Sequence, residues 1–128
     1  MNQNAKQTLE YYCENEVQTL KKHKYFAEIG SLANSVNYFV DISVGEAMDA
    51  KKHKHPKKIY LSFSVLDQQR RIVCVDSTDF EHLTDATMIL EIDCKDRVKF
   101  FSWQEDKDFI ESLEWITKEL KTMQTRDI

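Results

Sequence analysis

Apolar residues near both ends of the chain recur at the three-to-four spacing of a helix that buries one side. The N-terminal stripe, within residues 5–26, consists of Leu9, Tyr12, Cys13, Val17 and Leu20. The C-terminal stripe consists of Phe109, Ile110, Leu113, Ile116, Leu120 and Met123. We expect the first helix to stop near Gly30. Asp106 and Asp108 stand near the start of the second, where negative charge is favourable.

Between these helices the pattern changes to the alternation of a strand with one buried face. Five segments show it: VNYFVDISV (36–44), IYLSFSVL (59–66), RIVCV (71–75), TMILEID (87–93) and VKFFSW (98–103). Polar turns at 67–70 and 94–97 join neighbouring segments, as in hairpins. The order predicts one α+β domain over residues 1–128. It has an antiparallel meander of about five strands, with an N-terminal and a C-terminal helix packed on one face.

Composition is that of an ordinary folded domain, because 41% of the 128 residues are hydrophobic and 31% are charged. No secretory signal and no run of about 18 apolar residues is visible, so we expect no membrane segment. Cys13, Cys74 and Cys94 are an odd number at wide spacings, each inside a patterned segment. They indicate buried, reduced thiols in a cytoplasmic protein.

The stretch DAKKHKHPKKI (49–59) concentrates five lysines and two histidines in an acidic protein. A nucleic-acid site would need a basic face, but without these five lysines the chain has 13 basic and 22 acidic residues, a net charge of −9. A metal site would need more ligands than His53 and His55, in a loop where lysines repel a cation. We therefore interpret Lys51–Lys58 as a solvated turn between two strands, with no metal and no nucleic acid. Contact with an acidic patch of a partner is the functional alternative.

Catalytic motifs are missing from the sequence. Only two glycines occur, which excludes a glycine-rich phosphate loop, and there is no G-x-S-x-G, H-E-x-x-H or C-x-x-C. The segment DSTDFEHLTD (76–85) gathers carboxylates and His82, a set able to bind a cation or move protons. Capping of a short helical turn by Ser77 or Thr78, with the acids in water, is the favoured interpretation. We expect a non-catalytic protein without a cofactor.

If the helices cover one face of the sheet, the other face carries aromatic residues among polar ones. We expect there Phe39, Tyr60, Val73, Phe101 and Trp103, mixed with Asp41, Ser43, Ser62, Ser64, Glu91 and Lys99. This is the composition of a protein interface. Burial under loops or a helix is the alternative. Bases of single-stranded RNA could also stack on these aromatic residues, but the net negative charge of the chain disfavours RNA binding.

These features predict a small acidic module that binds a protein, most simply a basic one, as an immunity protein neutralises a nuclease toxin in bacteria. Residues 76–96 hold seven acids and one lysine. The expected contact residues are Asp76, Asp79, Glu81, Asp85, Phe39, Tyr60, Phe101 and Trp103. The alternatives are a homodimeric escort resembling a secretion chaperone, or a small-ligand or enzymatic domain with a pocket between sheet and helices.

Overall fold

The computed structural model describes residues 3–48, 57–73, 85–93 and 95–126, and within them the protein is an α+β fold. Its elements follow one another along the chain. They are α1 (Gln3–Lys21), α2 (Lys24–Ser35), β1 (Phe39–Met48), β2 (Lys57–Leu66), β3 (Ala86–Ile92), β4 (Val98–Phe100), a 3₁₀ turn (Trp103–Glu105) and α3 (Lys107–Arg126).

The sheet is an antiparallel meander, as predicted, but the described residues form four strands rather than five. Segment 71–75 is not a strand in its described part. Ile72 forms a single bridge with Leu66, and the Val73 amide donates to the Val65 carbonyl at 2.9 Å. The segment does not pair along the length of β2, because β3 already occupies that side of β2 from Lys57 to Ser62. Only the end of β2 is left for residues 72 and 73.

A helix that the sequence did not reveal, α2, follows α1 after a short break. The prediction of one helix over 5–26 with a stop near Gly30 is wrong, because α1 ends at Lys21 and Gly30 lies inside α2. His23 caps the new helix, and its Nδ1 accepts from the Tyr25 amide at 3.3 Å. Burial of Ile29 and Ala33 offsets the poor helix propensity of Gly30.

The helices share one hydrophobic core with one face of the sheet. In β2 the predicted alternation is present, since Ile59, Leu61, Phe63 and Val65 are buried and the residues between them are half-buried. The core residues of the three helices are Leu9, Leu20, Ile29, Ala33, Phe109, Leu113, Ile116 and Leu120. The α3 stripe is therefore core, and Asp106 caps that helix by accepting from the Phe109 amide at 3.1 Å.

Both predicted polar turns are present and share one construction. Asp67 accepts from the amides of Gln69 and Arg71 and pairs with the Arg71 guanidinium. Asp93 repeats this with Lys95 and Arg97. These backbone hydrogen bonds, assisted by the arginine, lower the pKa of both aspartates.

Candidate functional site

The outer face of the sheet, opposite the helices, is one candidate surface. β1 contributes Phe39, which is 53% exposed, and the exposed Asp41 and Ser43. Phe101 lies at the other edge, with the Lys99 ammonium 5.1 Å from its ring centre. The half-buried residues between them include Tyr60, Ser62, Ser64, Met88 and Glu91. Within the described residues no helix covers this face, because α1, α2 and α3 all join the core on the other side.

Two residues that we placed on the outer face lie in the core instead. Trp103 is 0% exposed, and its ring meets His23 and Phe109 edge-on at centroid distances of 5.2 and 6.1 Å. Val73 is also buried. The period-two pattern misplaced Trp103 because β4 ends at Phe100 and the chain then turns into the 3₁₀ segment. Trp103 is therefore not available on the outer face.

Three of the described acids in the stretch 76–96 have a polar or basic neighbour, and one of them forms an ion pair. Asp85 accepts from the Ser112 hydroxyl, Glu91 lies opposite Lys58 and Lys99 in the sheet register, and Asp93 pairs with the Arg97 turn residue. Asp96 is exposed. The other predicted contact acids, Asp76, Asp79 and Glu81, lie outside the described residues, as does His82. Their role in binding stays a prediction.

Two polar residues of the α1 stripe hold the segment after β4, and sequence reasoning missed one of them. The Tyr12 hydroxyl donates to the Phe101 carbonyl at 2.5 Å, and Glu16 accepts from the Trp103 amide at 3.4 Å. Burial raises the pKa of Tyr12 to about 12 and raises the pKa of Glu16 as well. The position of Glu16 on the buried side of α1 could have been predicted from its spacing, because it lies four residues after Tyr12 and four before Leu20.

A groove of about 380 Å³ opens between the first half of α1 and the helix-facing side of the sheet. Its apolar lining comes from Leu9, Cys13, Val44, Ile59 and Ile92, and its charged lining from Glu10, Glu46 and Lys57. Lys57 is already paired with Glu46 at 2.9 Å. Burial raises the pKa of the Cys13 thiol, so at neutral pH this side chain is a weak nucleophile. The groove suits an apolar molecule better than it suits catalysis.

The structure describes only the last two residues, Lys57 and Lys58, of the lysine-rich segment Lys51–Lys58. Lys57 and Lys58 are the first residues of β2, a correction to the expectation that the turn extends through Lys58. Residues 51–56, with His53 and His55, lie outside the described part, so the solvated turn there stays a prediction.

Among the residues that the structure describes, no three His, Cys, Asp or Glu side chains are grouped to hold a metal. None of the described helices is long and apolar enough to cross a bilayer.

Comparison of this chain with protein-family models, with curated proteins and with solved structures found no match.

Proposed function

We propose that this protein is a non-catalytic binding module whose partner is a basic protein, neutralised as an immunity protein neutralises a nuclease toxin. The observation that supports this most directly is the outer sheet face, where exposed Phe39 and half-buried Tyr60 and Phe101 stand among hydroxyl and charged side chains. Aromatic anchors within a polar surround carry most of the binding energy in protein complexes.

The charge of the chain supports the basic character of the partner. The formal net charge is −4 at pH 7. Complementary charge raises the association rate, whereas aromatic anchors mainly slow dissociation. In this proposal the acids Asp76, Asp79, Glu81 and Asp85 accelerate the encounter, and the outer sheet face holds the complex. Trp103 supports that face from the core rather than touching the partner.

Two alternative functions also have support in the structure. A homodimeric escort would use the exposed sheet or the first helix for self-association, and the edge of β1 is one candidate within the sheet. A small-ligand domain would use the groove between α1 and the sheet, whose volume of about 380 Å³ lies within the range of small-molecule sites. The small-ligand alternative does not account for the exposed aromatic surface on the opposite side of the sheet.

Affinity capture with matched aromatic variants tests the site. Phe39→Ser removes an exposed ring from the outer face, whereas Tyr11→Ser removes a ring that is 73% exposed on α1. We expect the parent and Tyr11→Ser to retain the same basic protein from a lysate of the native cell, and Phe39→Ser to lose it. Loss with both variants, or retention by both, would contradict the proposed contact face.

Kinetics with the identified partner test the role of the acids. Changing Asp79, Glu81 and Asp85 to their amides keeps the shape of each side chain, including an oxygen that can accept from Ser112. We expect the association rate to fall several-fold at low salt and to lose much of its salt dependence. An unchanged rate at low salt would show that these acids do not steer the partner.

A further inference from the structure

Among the described residues, β1 is the longer of the two edge strands of the sheet. It spans Phe39–Met48 and, within the part of the chain that the structure describes, pairs only with β2, whereas the other edge strand, β4, has three residues. Its register with β2 runs without a bulge from end to end. Natural edge strands are often protected by proline, lysine, a bulge or an inward-pointing charge, and β1 has no proline, lysine or bulge. Its charged residues are Asp41 and Glu46, and the Glu46 carboxylate is already paired with Lys57 at 2.9 Å. A regular edge of this length is a template for another strand.

The middle of this edge is open on both faces of the sheet. Ser43, Val44, Gly45 and Glu46 are four consecutive exposed residues. Val44 faces the helix side, because it pairs with the core residue Leu61, and yet it is 40% exposed. The core therefore ends at β1 with an apolar side chain left uncovered by the described residues.

We propose that β1 pairs with β1 of a second copy of this chain, antiparallel and centred on Ile42, so that two four-stranded sheets become one of eight strands. A two-fold axis perpendicular to the sheet keeps each side chain on its own face, because pleated residues must pair with residues of the same face. The centre of the pairing then determines every contact across the axis.

The Ile42 register is self-complementary on both faces. On the helix side, Val40 lies opposite Val44 of the second copy, and the two Ile42 side chains meet at the axis. On the outer side, Phe39 lies opposite Gly45, an arrangement in which a ring covers a glycine that leaves open space. Asp41 lies opposite Ser43. A register centred on Asp41 would instead bring two carboxylates together.

This dimer does not depend on the basic partner proposed above. Pairing at the edge leaves the outer sheet faces of both copies open except at Phe39, which covers Gly45 of the other copy, and brings them onto one continuous surface. The variants at position 43 keep Phe39, so failure of the dimer and failure of the partner capture can be measured separately. A stable dimer without any other protein would add weight to the homodimeric escort.

Opposite charges at position 43 test both the edge and the register. Sedimentation velocity at low salt, from about 1 to about 200 µM chain, covers the range in which small interfaces associate. We expect the parent to dimerise and Ser43→Lys to dimerise at least as tightly, because the lysine faces Asp41 of the other copy. Ser43→Asp should weaken the dimer by about 2- to 30-fold, equivalent to two like-charge pairs at about 0.2–1 kcal/mol each.

Ser62 supplies the matched control, since it lies on the outer face directly beside Ser43 but one strand further from the edge. Ser62→Lys and Ser62→Asp should leave the dimer constant unchanged, and circular dichroism should show all four variants folded. A monomeric parent over the whole range overturns the proposal. Equal weakening by Ser43→Lys and Ser43→Asp, or no effect of either, overturns the Ile42 register.

Discussion

Replacing Leu113 by alanine tests whether α3 is an integral part of the core. Leu113 is 1% exposed and packs in the one cluster that joins the three helices to the sheet. The change removes three carbons, worth about 2.4 kcal/mol at about 0.8 kcal/mol per buried methylene. Incomplete relaxation around the cavity adds to this, so we expect a loss of about 2.7–5 kcal/mol in the free energy of unfolding.

Urea unfolding followed by circular dichroism measures this loss, and a thermal scan checks it. With about 2.1 cal/mol/K of unfolding entropy per residue over 128 residues, a loss of 3 kcal/mol lowers Tm by roughly 11 °C. Lys118→Ala, an exposed position on the same helix, is the control and should change stability by less than about 0.5 kcal/mol. A similarly small loss for Leu113→Ala would refute the placement of α3 in the core.

Two further predictions concern the buried carboxyl and the lysine-rich turn. Because burial raises the pKa of Glu16, its contribution to stability is fully present below the unfolded pKa and is lost as pH rises through the folded pKa. Glu16→Gln should therefore be more stable than the parent in urea at neutral pH, with the advantage vanishing in acid; lower stability at neutral pH would contradict this. Shortening residues 51–56 to a compact turn should leave Tm within a few degrees, since loop tips tolerate change. A collapse of the fold would instead indicate a packed or liganded segment.

The sequence predicted best those elements whose burial pattern is regular. The alternation in β2 and the stripe in α3 each have one clean period, so the α+β class, the meander and the buried residues of α3 could be predicted. α2 was missed because its break from α1 spans only Lys22 and His23, within a lysine-rich stretch that looks like a helix end. A break of two residues hardly changes the spacing of apolar residues along the chain, so that spacing does not reveal it.

The candidate surfaces were less predictable, because they depend on where strands stop. The outer positions of Phe39 and Tyr60 follow from alternation within strands, and the structure places them there. Trp103 lies beyond the end of β4, and Val73 follows a single bridge rather than lying in a strand. Alternation does not determine direction at either position, and both residues are in the core. The open edge of β1 could not be predicted at all, since it depends on which segment pairs with β2.

The contacts of α1 with the segment after β4 have a consequence for how the chain folds during synthesis. Tyr12 and Glu16 bind main-chain groups that lie 89 and 87 residues later in the sequence. At about 5–20 residues per second, a ribosome needs roughly 5–20 s to make the intervening chain. During that interval the first helix has left the exit tunnel before the segment that completes its docking exists. A nascent chain stalled before residue 101 would therefore keep part of the apolar stripe of α1 uncovered and open to chaperones.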